Sequence, residues 1–160
     1  MEAILKKIYN SPKISLSLKI ISHASALMGV FAYAVLLIYS YIEEPILALK
    51  IVVSASIPYI IVSLVRRLVK APRPYELYDF YKTPPKNKEG QSFPSRHVFS
   101  AFVIATLSYT VSVWMLAAVS IFGICLAVCR VLLGIHFVRD VVAGALIGIV
   151  SGIIGIVIIL

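Results

Sequence analysis

Uncharged apolar stretches alternate along this chain with short polar connections, and the stretches have the lengths of membrane crossings. No formally charged residue stands between positions 20 and 42. Twenty-three residues at about 1.5 Å each cover a hydrocarbon core of ~30 Å, so 20–42 is the first predicted span. The triplet Ala24-Ser25-Ala26 precedes the apolar stretch where a cleavage site would follow it, and Lys19 lies upstream, so the segment reads as an uncleaved anchor. Glu43, Glu44 and Pro45 make a turn, and residues 46–65 form a second span with Lys50 near its entry. From 97 to 129 the chain is again without formal charge, with histidine neutral, which is too long for one comfortable crossing and predicts two helices over about 98–112 and 115–129. A last span covers 141–160. The expected fold is all-α: one membrane-embedded domain over 1–160, a polytopic bundle of about five transmembrane helices, with polar connections at 66–97 and 130–140 gathered at one membrane face. The apolar runs show no period of two, which speaks against a β-barrel.

Composition agrees and excludes other classes. Hydrophobic residues make up 61% of the chain, charged residues 14%, and the mean hydropathy is +0.99. Soluble domains run near ~45–50% apolar and ~25% charged, and disorder needs the opposite bias. The net charge of +8 calls for an anionic partner. For a membrane protein that is lipid phosphate, and no motif points to nucleic acid. The two cysteines, Cys125 and Cys129, lie one turn apart in an apolar run, which is neither a disulfide framework nor a metal site.

Five spans place the N-terminus and both polar connections on one side. Fourteen of the fifteen Lys and Arg residues are there, against Lys50 alone on the other, and His97 and His136 stand at helix ends on the same side. Three groups of residues stand out. Arg66 and Arg73 are seven apart, so on one helix both guanidinium forks face one way, with Lys70 between them and Pro74 closing the helix. Such forks suit phosphate oxygens, though a basic flank anchoring a span reads equally well. Pro94 and Ser95 are helix-start residues that would offer a hydroxyl and backbone N–H groups to an anion, with His97 in the first turn. A simple N-cap is the plainer alternative. His136 and Asp140 are at i, i+4. If a helix begins near Gly134 or Ile135, the carboxylate orients one imidazole nitrogen and leaves the other as nucleophile or base, the plainer alternative being an ion pair at helix entry.

Taken together, these pieces resemble the signature of the type 2 phosphatidic acid phosphatase superfamily. Its first motif, Lys, six residues, Arg-Pro, stands here as Arg66 through Arg73 and Pro74. Its second, Pro-Ser-Gly-His, is Pro94, Ser95, Arg96, His97. Its third, Ser-Arg, five residues, His, three residues, Asp, is Cys129, Arg130, His136, Asp140. The departures are Arg66 for Lys, Arg96 for Gly and Cys129 for Ser. Arg66 keeps the charge, Arg96 adds a bulky cation while keeping its backbone N–H, and Cys129 loses a hydroxyl donor.

The resemblance implies a membrane lipid phosphatase with its active site at one membrane face. His136 attacks phosphorus to give a phosphohistidine, Asp140 fixes its tautomer, and His97 protonates the departing oxygen. Arg66, Arg73, Ser95, Arg96 and Arg130 bind the phosphate, with no metal and no cofactor. The lipid phosphate is left open among phosphatidate, phosphatidylglycerophosphate and polyprenyl diphosphate. The other class to weigh is a transporter or anionic-lipid-binding membrane protein without chemistry, against which stand the absence of a repeat and of acidic residues within the spans.

Further expectations concern single features. Gly144, Gly148 and Gly152 line one face of the last span, fit either for a homodimer or for packing within the chain. His23 reads as a packed neutral histidine. Tyr75, Tyr78, Phe80 and Tyr81, interleaved with Glu76, Asp79 and Lys82, read as an interfacial segment over the site mouth. A multi-pass cell-membrane location follows, but its sidedness is divided. With Arg66, Arg73, Arg96 and Arg130 set aside for phosphate, ten basic residues still outnumber Lys50, and Lys6, Lys7, Lys13 and Lys19 precede the first span. That count puts the active-site face in the cytoplasm, whereas the family resemblance implies the outer face.

Overall fold

The structure, a computed structural model, describes residues 1–81 and 90–159; Lys82, placed in the aromatic loop, and Leu160, the end of the last predicted span, lie outside the described residues. The elements are α1 (Glu2–Tyr9), α2 (Pro12–Glu43), α3 (Pro45–Val69), the single turn α4 (Pro74–Leu77), α5 (Arg96–Leu107), α6 (Val113–Leu132) and α7 (Val138–Ile159), with a 3-10 turn at Ser108–Thr110. Among the described residues α2, α3, α6 and α7 supply four helices long and apolar enough to cross a membrane.

Helix limits follow local chemistry more than charge. α2 opens with Pro12 in its first turn and runs 32 residues, about 48 Å at 1.5 Å per residue. It thus begins eight residues before the uncharged stretch, because Lys13 and Lys19 can reach headgroup level from a continuous helix. α6 starts at Val113, where the Ser112 hydroxyl accepts from the Met115 amide at 3.0 Å. The region expected as a third span over 98–112 holds the 12-residue α5 and the 3-10 turn. At about 18 Å, α5 is shorter than a bilayer core.

α5 runs parallel to α7, and the glycines of α7 allow the contact. A Cβ at Gly144 would lie 2.6 Å from the Ser95 carbonyl oxygen, one at Gly148 2.6 Å from the Phe99 carbonyl oxygen, and one at Gly152 would strike the Thr106 side chain. This corrects the homodimer expectation for Gly144, Gly148 and Gly152. The face they make is filled by α5 of the same chain, because only glycine lets the two backbones approach this closely.

Leu36, Ile51, Val62, Phe99, Val103 and Leu107 form the buried core around that contact. Outward faces carry exposed Phe31, Ile42, Leu68 and Trp114, as a helix facing lipid tails requires. One end of the bundle gathers the start of α5 on the start of α7, through the Ser95 amide to the Asp140 carbonyl at 2.9 Å. The end of α3 joins there through Arg66 Nη1 to the Pro94 carbonyl at 2.6 Å. The opposite end packs Gly155 of α7 against Ser54 and Leu107.

Candidate active site

The basic pair near the end of α3 meets by a chain reversal. α3 stops at Val69, and Lys70 takes the left-handed conformation at φ 46°, so Arg73 lies in extended backbone before α4. The expectation that Arg66 and Arg73 share one helix face is therefore corrected, because the left-handed residue ends the helix four positions before Pro74. The two side chains still converge. Arg66 donates to the carbonyls of Gln91 and Pro94, with Ser92 at 3.4 Å, and Arg73 Nη2 donates to Gln91 at 3.3 Å. The segment on which they close is fixed independently. The Gly90 amide donates to both Glu76 carboxylate oxygens at 3.2 Å, and the Ser92 amide to the Ala71 carbonyl at 2.9 Å.

Ser95 precedes α5, yet its hydroxyl makes no cap bond. Its Oγ is buried without a hydrogen-bond partner among the described residues, as are Nε of Arg66, Arg73 and Arg130. Buried donors are normally satisfied, so four of them around one region mark a place built to receive acceptors.

His136 lies in the connection between α6 and α7, and α7 begins at Val138. The expected helix start at Gly134 or Ile135 is thus displaced. Gly134 adopts φ 68°, and the amides of Ile135 and His136 fold back onto the Arg130 carbonyl at 3.1 and 3.3 Å. Asp140, in the first turn of α7, accepts from the Phe137 amide at 2.9 Å through Oδ2. That oxygen is 3.7 Å from His136 Nδ1, beyond hydrogen-bonding distance. Ser92 fills the gap: its Oγ lies 3.3 Å from His136 Nδ1 and donates to Asp140 Oδ2. Because the serine proton goes to the carboxylate, Nδ1 carries the proton donated to Ser92, and Nε2 keeps its lone pair. Burial pushes the His136 pKa below its ordinary value, and Arg73 and Arg66 act in the same sense, while Asp140 pulls the other way. The ring is neutral at pH 7 as a result.

The cluster therefore brings together Arg66, Arg73, Ser95, His136 and Asp140, all buried, with Arg130 within electrostatic reach of Arg73. Ser92, also fully buried, was missed by the sequence reading. Nothing in its spacing marks it, and only the fold-back of 90–95 onto α7 makes it a neighbour of residues 44 and 48 positions away.

Arg96 and His97 are placed differently. Both line a cavity of about 500 Å³ on the flank of the bundle, together with His23, Tyr59, Gly29 and Ile104. Arg96 lies over the Tyr59 ring at 5.8 Å and reaches Ser63 Oγ at 3.5 Å. His23, expected to be packed, is exposed on α2, with Nδ1 2.7 Å from the Lys19 carbonyl. The correction has a simple cause: that side of α2 borders the cavity instead of a neighbouring helix. Above the cluster, Tyr81 packs against Tyr9 of α1 and Phe80, and its hydroxyl occupies the space where a side chain on Gly134 would go. Among the described residues no three His, Cys, Asp or Glu side chains converge as a metal-binding group.

The sequence pattern of the PAP2 superfamily matches residues 47–159. The chain belongs to this family. Two solved structures share its fold. LpxE from Aquifex aeolicus is 25% identical with a TM-score of 0.71, over 96% of this chain and 93% of that one. The transmembrane PAP2 type phosphatidylglycerolphosphate phosphatase from Bacillus subtilis is 17% identical with a TM-score of 0.74, over 98% and 83%. No curated protein sequence matches this PAP2 chain. The chain is accordingly a multi-pass membrane helix bundle of the PAP2 type.

Proposed function

We propose that this chain is a membrane lipid phosphatase, its 160 residues acting as one domain, which removes a terminal phosphate from a lipid phosphate or diphosphate through a phosphohistidine. The observation that carries the reading is the state of His136: Nδ1 is tied through Ser92 to Asp140, which leaves Nε2 with its lone pair, and Arg73 and Arg66, whose Nε groups are buried without a partner among the described residues, lie within electrostatic reach of the ring. In this reading Nε2 attacks phosphorus, the phosphorus–oxygen bond to the lipid breaks, and that oxygen leaves with the electron pair. Arg66, Arg73, Arg130 and Ser95 hold the non-bridging oxygens, where charge gathers during phosphoryl transfer, and supply the positive charge without a metal.

In-line displacement sets the leaving oxygen opposite the nucleophile. The flank cavity supports this division, since His97 lines it while His136 is buried in the cluster, so His97 is the acid that protonates the leaving oxygen. Water then attacks the phosphohistidine and releases inorganic phosphate. The excess of Lys and Arg at this end of the bundle favours a cytoplasmic active-site face.

Phosphate release by the purified protein from phosphatidate, phosphatidylglycerophosphate and polyprenyl diphosphate, in excess chelator and beside His136→Ala, tests the reading. Turnover with wild type alone is expected, together with an acid-labile phosphoenzyme trapped on quenching. Binding or transport of these lipids without phosphate release would overturn it. Loss of turnover that magnesium restores would remove the metal-free mechanism.

A further inference from the structure

The flank cavity holds more positive and proton-bearing groups than protonating a leaving oxygen requires. Arg96 comes from the first turn of α5, Tyr59 from α3, and His23 from α2, so three helices bring polar side chains to one opening of about 500 Å³. The His23 ring can bond the Lys19 carbonyl only by donating from Nδ1, since a carbonyl is an acceptor, so Nε2 donates to an anion only when the ring carries both protons. Arg96 is held by one ring face and by one hydroxyl at the limit of hydrogen-bonding distance, which leaves most of its five N–H donors for a ligand. A cation at the flank of a membrane bundle is costly without an anionic partner and marks a binding site by default. Other parts of the lining are apolar, with Val30, Ile104 and Leu126. Arg66 lies within electrostatic reach of Arg96 and Tyr59 on one side and of Arg73 and Asp140 on the other, so the cavity and the His136 cluster adjoin.

We propose that Arg96, with His23, forms a second anion subsite on the leaving-group side of the scissile phosphate, so that the chain prefers lipids in which the departing group itself carries an anion. The inference rests on the phosphatase reading and adds a specificity to it. With a lipid diphosphate, His136 Nε2 bonds to the terminal phosphorus, the bond to the bridging oxygen breaks, and the electron pair leaves on the lipid monophosphate. The Arg96 fork holds that anion, joined by His23 Nε2 when that ring carries both protons, and the apolar part of the cavity takes the first carbons of the tail. A monophosphate lipid offers this subsite only a neutral alcohol.

The test compares diacylglycerol diphosphate with phosphatidate of identical tails. Wild type, Arg96→Gly, Arg96→Lys and His23→Ala are each assayed for turnover, and the His136→Ala background is used for equilibrium binding of both lipids in nanodiscs. Wild type should favour the diphosphate in kcat/KM. Arg96→Gly should lower that preference roughly tenfold or more, the range for losing a hydrogen bond to a charged group. Arg96→Lys should restore part of it, a point charge without the fork, and His23→Ala should shift it in the same direction as Arg96→Gly. An unchanged ratio in Arg96→Gly and His23→Ala, or equal losses on both lipids, overturns the subsite. If no lipid is hydrolysed but the diphosphate binding preference depends on Arg96, the phosphatase reading fails and the subsite stands.

Discussion

Between α5 and α7 two backbones touch, whereas between α2 and α5, at the same end of the bundle, a cavity of about 500 Å³ opens. The closed side carries His136 with Ser92 and Asp140, all of them buried. The open side carries Arg96 and the exposed His23 and His97. A phosphoryl transfer needs both: fixed donors around phosphorus, where ångström-scale slack is costly, and an aperture through which a lipid can slide without leaving the bilayer.

The largest effect should come from the closed side. His136→Ala is expected to lower kcat by at least ~1,000-fold, the scale for loss of a nucleophile that acts with its partners as a unit. Residual activity within tenfold of wild type would show that another group attacks phosphorus.

The same alanine placed at two glycines sharpens the contrast in packing. Gly148→Ala sets a Cβ 2.6 Å from the Phe99 carbonyl and 3.0 Å from the Val103 amide, and should cost about 1–3 kcal/mol as overpacking. Gly29→Ala meets nothing within 4 Å, and should be neutral or stabilise α2 by up to ~1 kcal/mol through helix propensity. Thermal unfolding in detergent reads both. Equal shifts at the two positions would erase the distinction between the closed and open sides.

Ser92→Ala leaves His136 Nδ1 and Asp140 Oδ2 facing each other at 3.7 Å with no bridging hydroxyl. The expected loss in kcat/KM is roughly 5- to 150-fold, from about 1–3 kcal/mol for a buried polar group deprived of its partner. A wild-type rate in Ser92→Ala would mean that the carboxylate orients the ring unaided.

Ser92 also shows where the sequence stops being informative. The spans, the chemistry of Arg66, His136 and Asp140, and the family signature are local patterns, readable from spacing and hydropathy alone. The serine bridge depends on a loop returning across the top of the bundle, and no periodicity encodes that return. The direction of Arg96 was equally out of reach. Its position in a Pro-Ser-Arg-His string suggests a phosphate ligand, while its orientation is decided by Tyr59 and Ser63, more than thirty residues earlier. The glycine stripe was visible, but its partner followed only from how α5 lies.

The pH dependence should be smaller and one-sided. In the proposed mechanism His136 attacks as the neutral ring, and its pKa in the folded chain is held below the ordinary 6.5 by burial, Arg73 and Arg66, against the opposing pull of Asp140. The acid limb of kcat/KM is therefore expected below pH 6.5. The unfolded chain binds this proton more readily than the folded one, so stability is fully present above pH 6.5 and declines as the pH falls toward the depressed value. An acid limb above 6.5 that disappears in His136→Ala would reverse the sign.

The smallest change is expected at the rim. Tyr81→Ser removes a ring packed on Tyr9 and Phe80, and should raise KM for a long-chain lipid phosphate a few-fold while leaving a short soluble phosphate ester nearly unaffected. Equal effects on both substrates would detach the aromatic segment from lipid handling.

The contact between α5 and α7 also bears on biosynthesis. These helices are separated in the chain by α6, and the Ser95 amide finds its acceptor only in Asp140. A nascent chain inserted through α6 holds the arginines and His97 but lacks the partner that seats the 92–95 turn. His136 likewise gains its orienting carboxylate only when Asp140 leaves the ribosome. Without α7 the chain thus lacks both the carbonyl that seats the Ser95 amide and the carboxylate that Ser92 links to His136, so the whole buried cluster waits on the last helix.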